Sequence, residues 1–453
     1  MTVFTIFGST GDLMYNKLLP ALNNLQKNNH LPGDTKILCV GRRDWDTSDY
    51  LAAVDEAVDS SKISEIRTML EYVKVSLDEA SGYDALKGKI ESNGENTEKI
   101  FYLALPPSLF PKVAGGLSQN GLIKKGENTA RIVFEKPFGE DLESAHEINR
   151  TLWNYFEEDQ IYRIDHYLGK EMIQNILTLR FANRIFESDW NKDSIEKVSI
   201  IVKEKHGIDN RGNYYDSIGA LRDMVQSHLL QMLALTAMEA PRAFNAQSIR
   251  KEKVSLLKKL SLEKGDVFNA QYQGYKAEPK VRKDSRTETF VALKVFIDDS
   301  RWRDVPFYMM TGKKMNEKSS EIIIDFKEND VTKNLWPDQK LTHNQLVVKV
   351  APDEGVSFRM NVKETGLSNK IIPSRMDYSH GKDAFGNVPE AYEKLLLEIV
   401  KKNALLFTRW DEIETTWRFI DQVTNRCMKA PYIYESEDDL IKTLQERSEY
   451  NDS

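Results

Sequence analysis

Apolar residues along this chain occur first in short unbroken runs and later in strict alternation, and the change predicts two kinds of sheet. Residues 3–7 form an apolar run ended by Gly8 and followed by a helical pattern over about 13–26. Similar runs recur at 36–41, 99–105, 129–134 and 160–165, with helical patterns at 48–58, 64–70 and 143–154. Continuous apolar strands alternating with helices predict a mostly parallel, doubly wound sheet buried on both faces. This Rossmann-like α/β domain is expected to occupy residues 1–165.

Beyond it the texture changes. A helix is predicted over 170–180, a strand over 197–203 and a long helix over 216–238. Period-2 patterning then marks strands at 290–297, 305–311, 320–326, 344–350 and 355–362, and leucine-rich helices follow at 391–400 and 411–422. The charged stretch 263–285 reads as loop-rich. Residues 166–453 are therefore expected to form an α+β domain with a large, mainly antiparallel sheet.

Composition narrows the class without naming a function. Hydrophobic and charged contents of 40% and 29% describe an ordinary globular chain, and a net charge of −7 argues against a general nucleic-acid binder. Two cysteines, Cys39 and Cys427, are too few for a disulfide framework and fit a reducing cytosol. No basic leader and no apolar run of roughly 20 residues is present, so a soluble cytoplasmic protein without membrane contact is expected.

Candidate chemistry clusters at predicted strand ends. Gly8-Ser9-Thr10-Gly11-Asp12-Leu13 joins the first strand to the first helix, where glycines let a pyrophosphate approach the helix N-terminus. Its G-x-x-G spacing is a weak dinucleotide pattern by itself. After the second strand, Arg42 and Arg43 suit the 2′-phosphate of NADP, while Asp44 leaves NAD as the weaker alternative. Lys136, in Glu135-Lys136-Pro137-Phe138-Gly139, stands at the edge of the sheet.

The segment Arg163–Glu171 carries Asp165, His166, Tyr167 and Lys170 at a strand-to-helix junction. A lysine in the first turn of a helix opposes the macrodipole, and a bound phosphate would reverse that penalty. The plain alternative is a solvated lysine offset by Glu171. His228 lies in a polar-flanked stretch of the long helix, with Asp223 five residues before it. On an ideal α-helix that spacing separates them by roughly 140°, so they are expected to share a ligand only across the helix shoulder. With no C-x-x-C, H-E-x-x-H or G-x-S-x-G pattern, metal and serine-hydrolase readings have no support.

Taken together, GSTGDLMYNKLLPAL, VGRRDW, EKPFG, RIDHYLGKE, RGNYYDSIGALRDMVQSHLLQ, VPFYMMTGKKM, AYEKLLLE and TRWDEIETTW resemble, in order, the segments of the glucose-6-phosphate dehydrogenase family. The resemblance implies oxidation of glucose 6-phosphate at C1 with hydride transfer to NADP, by a dimer or tetramer assembled through the sheet. It assigns His228 as general base and Asp165 as its partner. His166, Tyr167 and Lys170 become the phosphate clamp, and Glu204, Asp223, Lys313 and Lys318 further substrate contacts. Lys136 would bridge sugar and nicotinamide, and Arg42 would hold the 2′-phosphate. Ser227, Met310 and Lys402-Asn403 depart from the pattern, standing where the family usually has Asn, Arg and Gly-Asp.

Overall fold

The first unit is built on a seven-stranded sheet in which strands Thr2–Phe7 and Ala130–Phe134 are buried at every position, as apolar runs without alternation require. A computed structural model of the chain describes residues 1–77, 79–94, 96–263, 267–328, 330–379, 390–427 and 430–447. The strands are β1 (Thr2–Phe7), β2 (Thr35–Gly41), β3 (Leu70–Lys74), β4 (Glu98–Leu103), β5 (Ala130–Phe134) and β6 (Ile161–Ile164). They pair in parallel in the order β6-β5-β4-β1-β2-β3. The chain thus runs outward from β1 to β3 and returns to β4 on the other side of β1. That reversal makes the carboxyl ends of β1 and β4 the topological switch point, where doubly wound sheets bind ligands.

Helices Thr47–Ala57 and Leu142–Tyr155 start cleanly because Asp46 and Asp141 form reciprocal capping boxes with Asp49 and Ser144. The helix expected over 64–70 is instead a 3₁₀ turn, Arg67–Met69, leading into β3. The buried Ile63 and Ile66 lie three apart, a spacing that tight turns satisfy as well as helices.

Two compact units divide the chain. The first comprises Met1–Gly169, Ala243–Arg250 and Pro389–Glu414. Within it, strand Phe407–Thr408 pairs antiparallel with β6, and helix Ala391–Val400 packs beside the turn that follows β6.

The second unit comprises Lys170–Arg242, Lys251–Val388 and Thr415–Ser453. Its main sheet runs Ile371–Ser379, Gly355–Lys363, Gln345–Ala351, Ser319–Phe326, Ile195–Lys203, Phe307–Gly312, Phe290–Ile297, Val267–Tyr272, Tyr432–Tyr434. Neighbours are antiparallel except at two places, Ile195–Lys203 with Phe307–Gly312 and Tyr432–Tyr434 with Val267–Tyr272. Val267–Tyr272 falls in the stretch expected to be loop-rich, yet all six positions are buried. Asn269 and Gln271 concealed it, because a strand buried with polar residues looks hydrophilic in sequence; Gln271 Nε2 donates to the Thr287 carbonyl at 2.8 Å.

The long helix is also not continuous. It breaks at Gly219, whose φ of 72° divides Gly212–Ala220 from the π-helix Leu221–Leu229, with the α-helix Leu230–Ala237 after that. A Cβ at Gly219 would stand 2.4 Å from Glu288 Oε1, the oxygen that accepts a hydrogen bond from the Leu221 N–H at 3.0 Å. Among the described residues, no helix is long and apolar enough to cross a membrane.

Candidate active site

In the first unit, the candidate residues leave the sheet at the carboxyl ends of its parallel strands. Gly8 follows β1 with φ at 80°, and a Cβ there would lie 2.2 Å from the Ala104 carbonyl oxygen beyond β4. Only glycine lets these two strand ends approach so closely. The Ser9 N–H donates to the Val40 carbonyl at 3.2 Å, which ties the loop to β2, and the Gly11 N–H closes back on Gly8 at 3.1 Å. The Ser9 hydroxyl is fully buried without a hydrogen-bond partner among the described residues. A tight glycine cradle with an unsatisfied buried hydroxyl at a switch point fits a dinucleotide phosphate.

Beyond β2, the structure separates the three charged residues of the turn. Arg43 stacks over the Trp45 ring at 4.4 Å, and Asp44 pairs with Lys74 at 2.9 Å, which holds its carboxyl below the usual range. Arg42 is exposed and has no ion-pair partner among the described residues. The acid that could have held a ribose hydroxyl is engaged elsewhere, and one guanidinium is left for an anion.

Lys136 follows β5 through Glu135, and Asp165 follows β6 directly. Asp165 is 3% exposed and its Oδ1 accepts from the Tyr167 N–H at 3.0 Å, which shapes the 3₁₀ turn His166–Gly169. Tyr167 is buried and meets the half-buried His166 edge to face at 5.1 Å. Arg163, earlier in the same stretch, has a structural role: fully buried, it donates to Glu158 Oε1 at 2.6 Å and to Asn149 Oδ1 at 2.6 Å.

In the second unit, Lys170 is the N-cap of helix Glu171–Phe181, with an extended backbone. It therefore stands just before the first turn, not within it as the sequence suggested. Glu204 and Lys313 immediately follow the parallel pair Ile195–Lys203 and Phe307–Gly312, in which Lys203 faces Gly312. Lys313 Nζ donates to Glu204 Oε2 at 2.6 Å and lies 4.8 Å from the centre of the Tyr215 ring.

The π-helix Leu221–Leu229 packs against these same two strands. Its geometry corrects the expected separation of Asp223 and His228. In a π-helix the hydrogen bonds join residue i to i+5, so residues five apart stack one turn above the other on a single face. Both are buried, at 8% and 1% exposure. Tyr215 is the residue that sequence reasoning passed over. Burial pushes its phenol far above the usual range, and the charges of Asp223, Glu288 and Glu204 push it further. Glu204, Lys313 and Tyr215 thus form one polar group, and the charge of Asp223 acts on its phenol. Nothing in the sequence distinguishes Tyr215 from its neighbour Tyr214.

Among the described residues, no contact joins Lys318 to that group; it is exposed just before Ser319–Phe326. Met310, where the family pattern has arginine, packs against the apolar cluster of Phe290, Tyr308 and Met315. The side chain that departs from the pattern is therefore held by apolar packing.

Comparison with known proteins supplies the family. Residues 5–175 match the glucose-6-phosphate dehydrogenase NAD binding domain, and residues 177–449 match the C-terminal domain of the same family. A glucose-6-phosphate 1-dehydrogenase of Bacillus subtilis is 38% identical over 446 residues, covering 93% of this chain and 91% of the relative. A solved glucose-6-phosphate dehydrogenase in complex with its substrate glucose-6-phosphate superposes with a TM-score of 0.89 at 35% identity, covering 98% of this chain and 97% of that one. The Mycobacterium avium glucose-6-phosphate 1-dehydrogenase gives a TM-score of 0.86 at 33% identity over 96% of this chain and 93% of that one. With both domain models matched in order and nearly the whole chain covered, this protein belongs to the glucose-6-phosphate dehydrogenase family.

Proposed function

We propose that this chain is a glucose-6-phosphate 1-dehydrogenase that oxidises glucose 6-phosphate at C1 to 6-phosphoglucono-1,5-lactone, with NADP as hydride acceptor. The observation that carries this reading is the likeness over 98% of the chain to a relative solved with glucose 6-phosphate. NADP, when bound, supplies a nicotinamide that takes the hydride from C1. The Gly8–Leu13 loop would hold its pyrophosphate, Arg42 its 2′-phosphate, and Lys136 would meet both nicotinamide and sugar.

The remaining roles belong to the protein. His228 takes the proton of the C1 hydroxyl as the hydride departs, and Asp165 is the carboxylate assigned to orient the imidazole and stabilise its charged form. Glu204 and Asp223 accept hydrogen bonds from sugar hydroxyls. Lys313, already donating to Glu204, adds a donor, and Lys318 adds a cation. His166, Tyr167 and Lys170 hold the phosphate, so the sugar's charge and the reacting carbon are read by separate groups. The protein is further proposed to act in the cytoplasm as a homodimer or homotetramer, without nucleic-acid or membrane partners.

Turnover of glucose 6-phosphate and of free glucose, followed through NADPH absorbance, tests the assignment. Efficiency should be at least about 100-fold higher on the phosphorylated sugar, the scale of losing a charge-assisted clamp. Equal rates on the two sugars would overturn it and leave a dehydrogenase of unphosphorylated sugars.

A further inference from the structure

The turn that carries His166 is braced by a part of the first unit that is distant in sequence. Helix Ala391–Val400 packs so closely on the His166–Gly169 turn that a Cβ on Gly169 would lie 2.6 Å from the Ala391 carbonyl oxygen. The next residue, Tyr392, sets its ring nearly parallel to the His166 imidazole, with an interplanar angle of 7° and centroids 6.5 Å apart. The imidazole therefore has Tyr392 along one side and the edge of Tyr167 on another.

Tyr392 is itself tethered to the sheet. Its hydroxyl donates to Glu135 Oε1 at 3.2 Å, across 257 residues of sequence. The same oxygen accepts from the fully buried Tyr102 of β4 at 2.5 Å. Burial raises both phenols well above their ordinary range, so they stay protonated donors near neutral pH. The order of support is thus β4 and β5, then the Glu135 carboxyl, then Tyr392, then the imidazole.

We propose that Tyr392 is a positioning residue for His166: tethered to Glu135, it flanks the imidazole and holds it in the orientation that receives the substrate phosphate. This rests on the reading that His166 holds that phosphate. A histidine free to turn about its two side-chain bonds must be ordered on each binding event, and an aromatic neighbour removes that cost beforehand. Pairs of this kind change affinity by about two- to tenfold.

The test is steady-state kinetics on the full-length enzyme with Tyr392→Leu, Tyr392→Phe, His166→Asn and the Tyr392→Leu/His166→Asn double variant. Tyr392→Leu should raise KM for glucose 6-phosphate by about three- to tenfold, with kcat and KM for NADP within about twofold of the parent. Tyr392→Phe keeps the ring but loses the hydroxyl tether, and its KM for glucose 6-phosphate should fall between those of the parent and Tyr392→Leu. In the His166→Asn background, Tyr392→Leu should add nothing, because a positioning residue acts only through the group it positions. An equal effect in both backgrounds, or kcat and both KM values moving together, would overturn the proposal. If His166→Asn leaves KM for glucose 6-phosphate unchanged, the phosphate reading itself fails and the proposal with it. Should Tyr392→Leu not fold, NMR of the His166 ring in Tyr392→Phe decides: shifted resonances are expected, and unchanged ones refute the tether.

Discussion

The two units place chemistry on their sheets by different routes, yet both use the same kind of position. In the first unit every candidate group leaves the carboxyl end of a parallel strand: Gly8 after β1, Arg42 after β2, Lys136 near the end of β5 and Asp165 after β6. The second sheet is antiparallel at most of its described pairings, but Glu204 and Lys313 leave a parallel pair. Adjacent parallel strands end side by side, so the residues after them are brought together without a hairpin between them. The difference lies in what completes the group. The first unit uses turns, while the second lays a π-helix across the strand pair and presents Asp223 and His228 from it.

The largest effect should come from the π-helix. Replacing His228 with Asn keeps the side chain's size and polarity but removes the proton acceptor, so kcat should fall by about 10²- to 10⁴-fold with KM for glucose 6-phosphate nearly unchanged. A variant with normal kcat would show that the second unit contributes binding alone. Next is Lys170, the N-cap residue. Lys170→Ala removes a charge-assisted contact, and KM for glucose 6-phosphate should rise by about 10- to 100-fold while kcat changes little. Losses confined to kcat would move Lys170 from substrate choice to chemistry.

A smaller effect is expected on the cofactor side. Arg42→Ala should raise KM for NADP by about tenfold and KM for NAD hardly at all, since only NADP carries the 2′-phosphate. Equal shifts would return the adenine end to a solvated turn and erase the contrast with Arg43, which is already stacked on Trp45.

The smallest effect is one of stability. Burial pushes the Glu135 carboxyl up to about 7 from an ordinary 4.5, although Tyr102 and Tyr392 donate to it. A folded-state value above the unfolded one contributes stability that is fully present below about pH 4.5 and is lost as pH rises through 7. Glutamine cannot ionise but still accepts the two hydrogen bonds. The Tm of Glu135→Gln relative to the parent should therefore rise between about pH 5 and pH 8. A difference independent of pH would mean that Glu135 titrates as an ordinary surface carboxyl.

Much of the candidate site was legible because its first half follows local rules. A glycine after an apolar strand, arginines after the next and the Arg163–Glu171 stretch are all short-range signals, readable from type and order. The rest needed information that adjacent residues do not hold. The 140° separation inferred for Asp223 and His228 assumed an α-helix, and the π-helix follows the break that Gly219 makes against Glu288, a residue far along the chain. Strand Val267–Tyr272 was concealed by polar residues whose partners come from a neighbouring segment.

The sequence by itself determined the family, the doubly wound first sheet and the mainly antiparallel second sheet, and it singled out the candidate residues at strand ends. These depend on periodicity and on residue types at strand ends, both local properties of the chain. Only the tertiary structure decided that Asp44 is engaged by Lys74 and Arg42 is not, that Asp223 and His228 share a face, and that Tyr215 and Tyr392 stand beside groups of the site. Pairing, stacking and helix type are settled by what packs against a residue, and for Tyr392 the partner that tethers it lies 257 positions away.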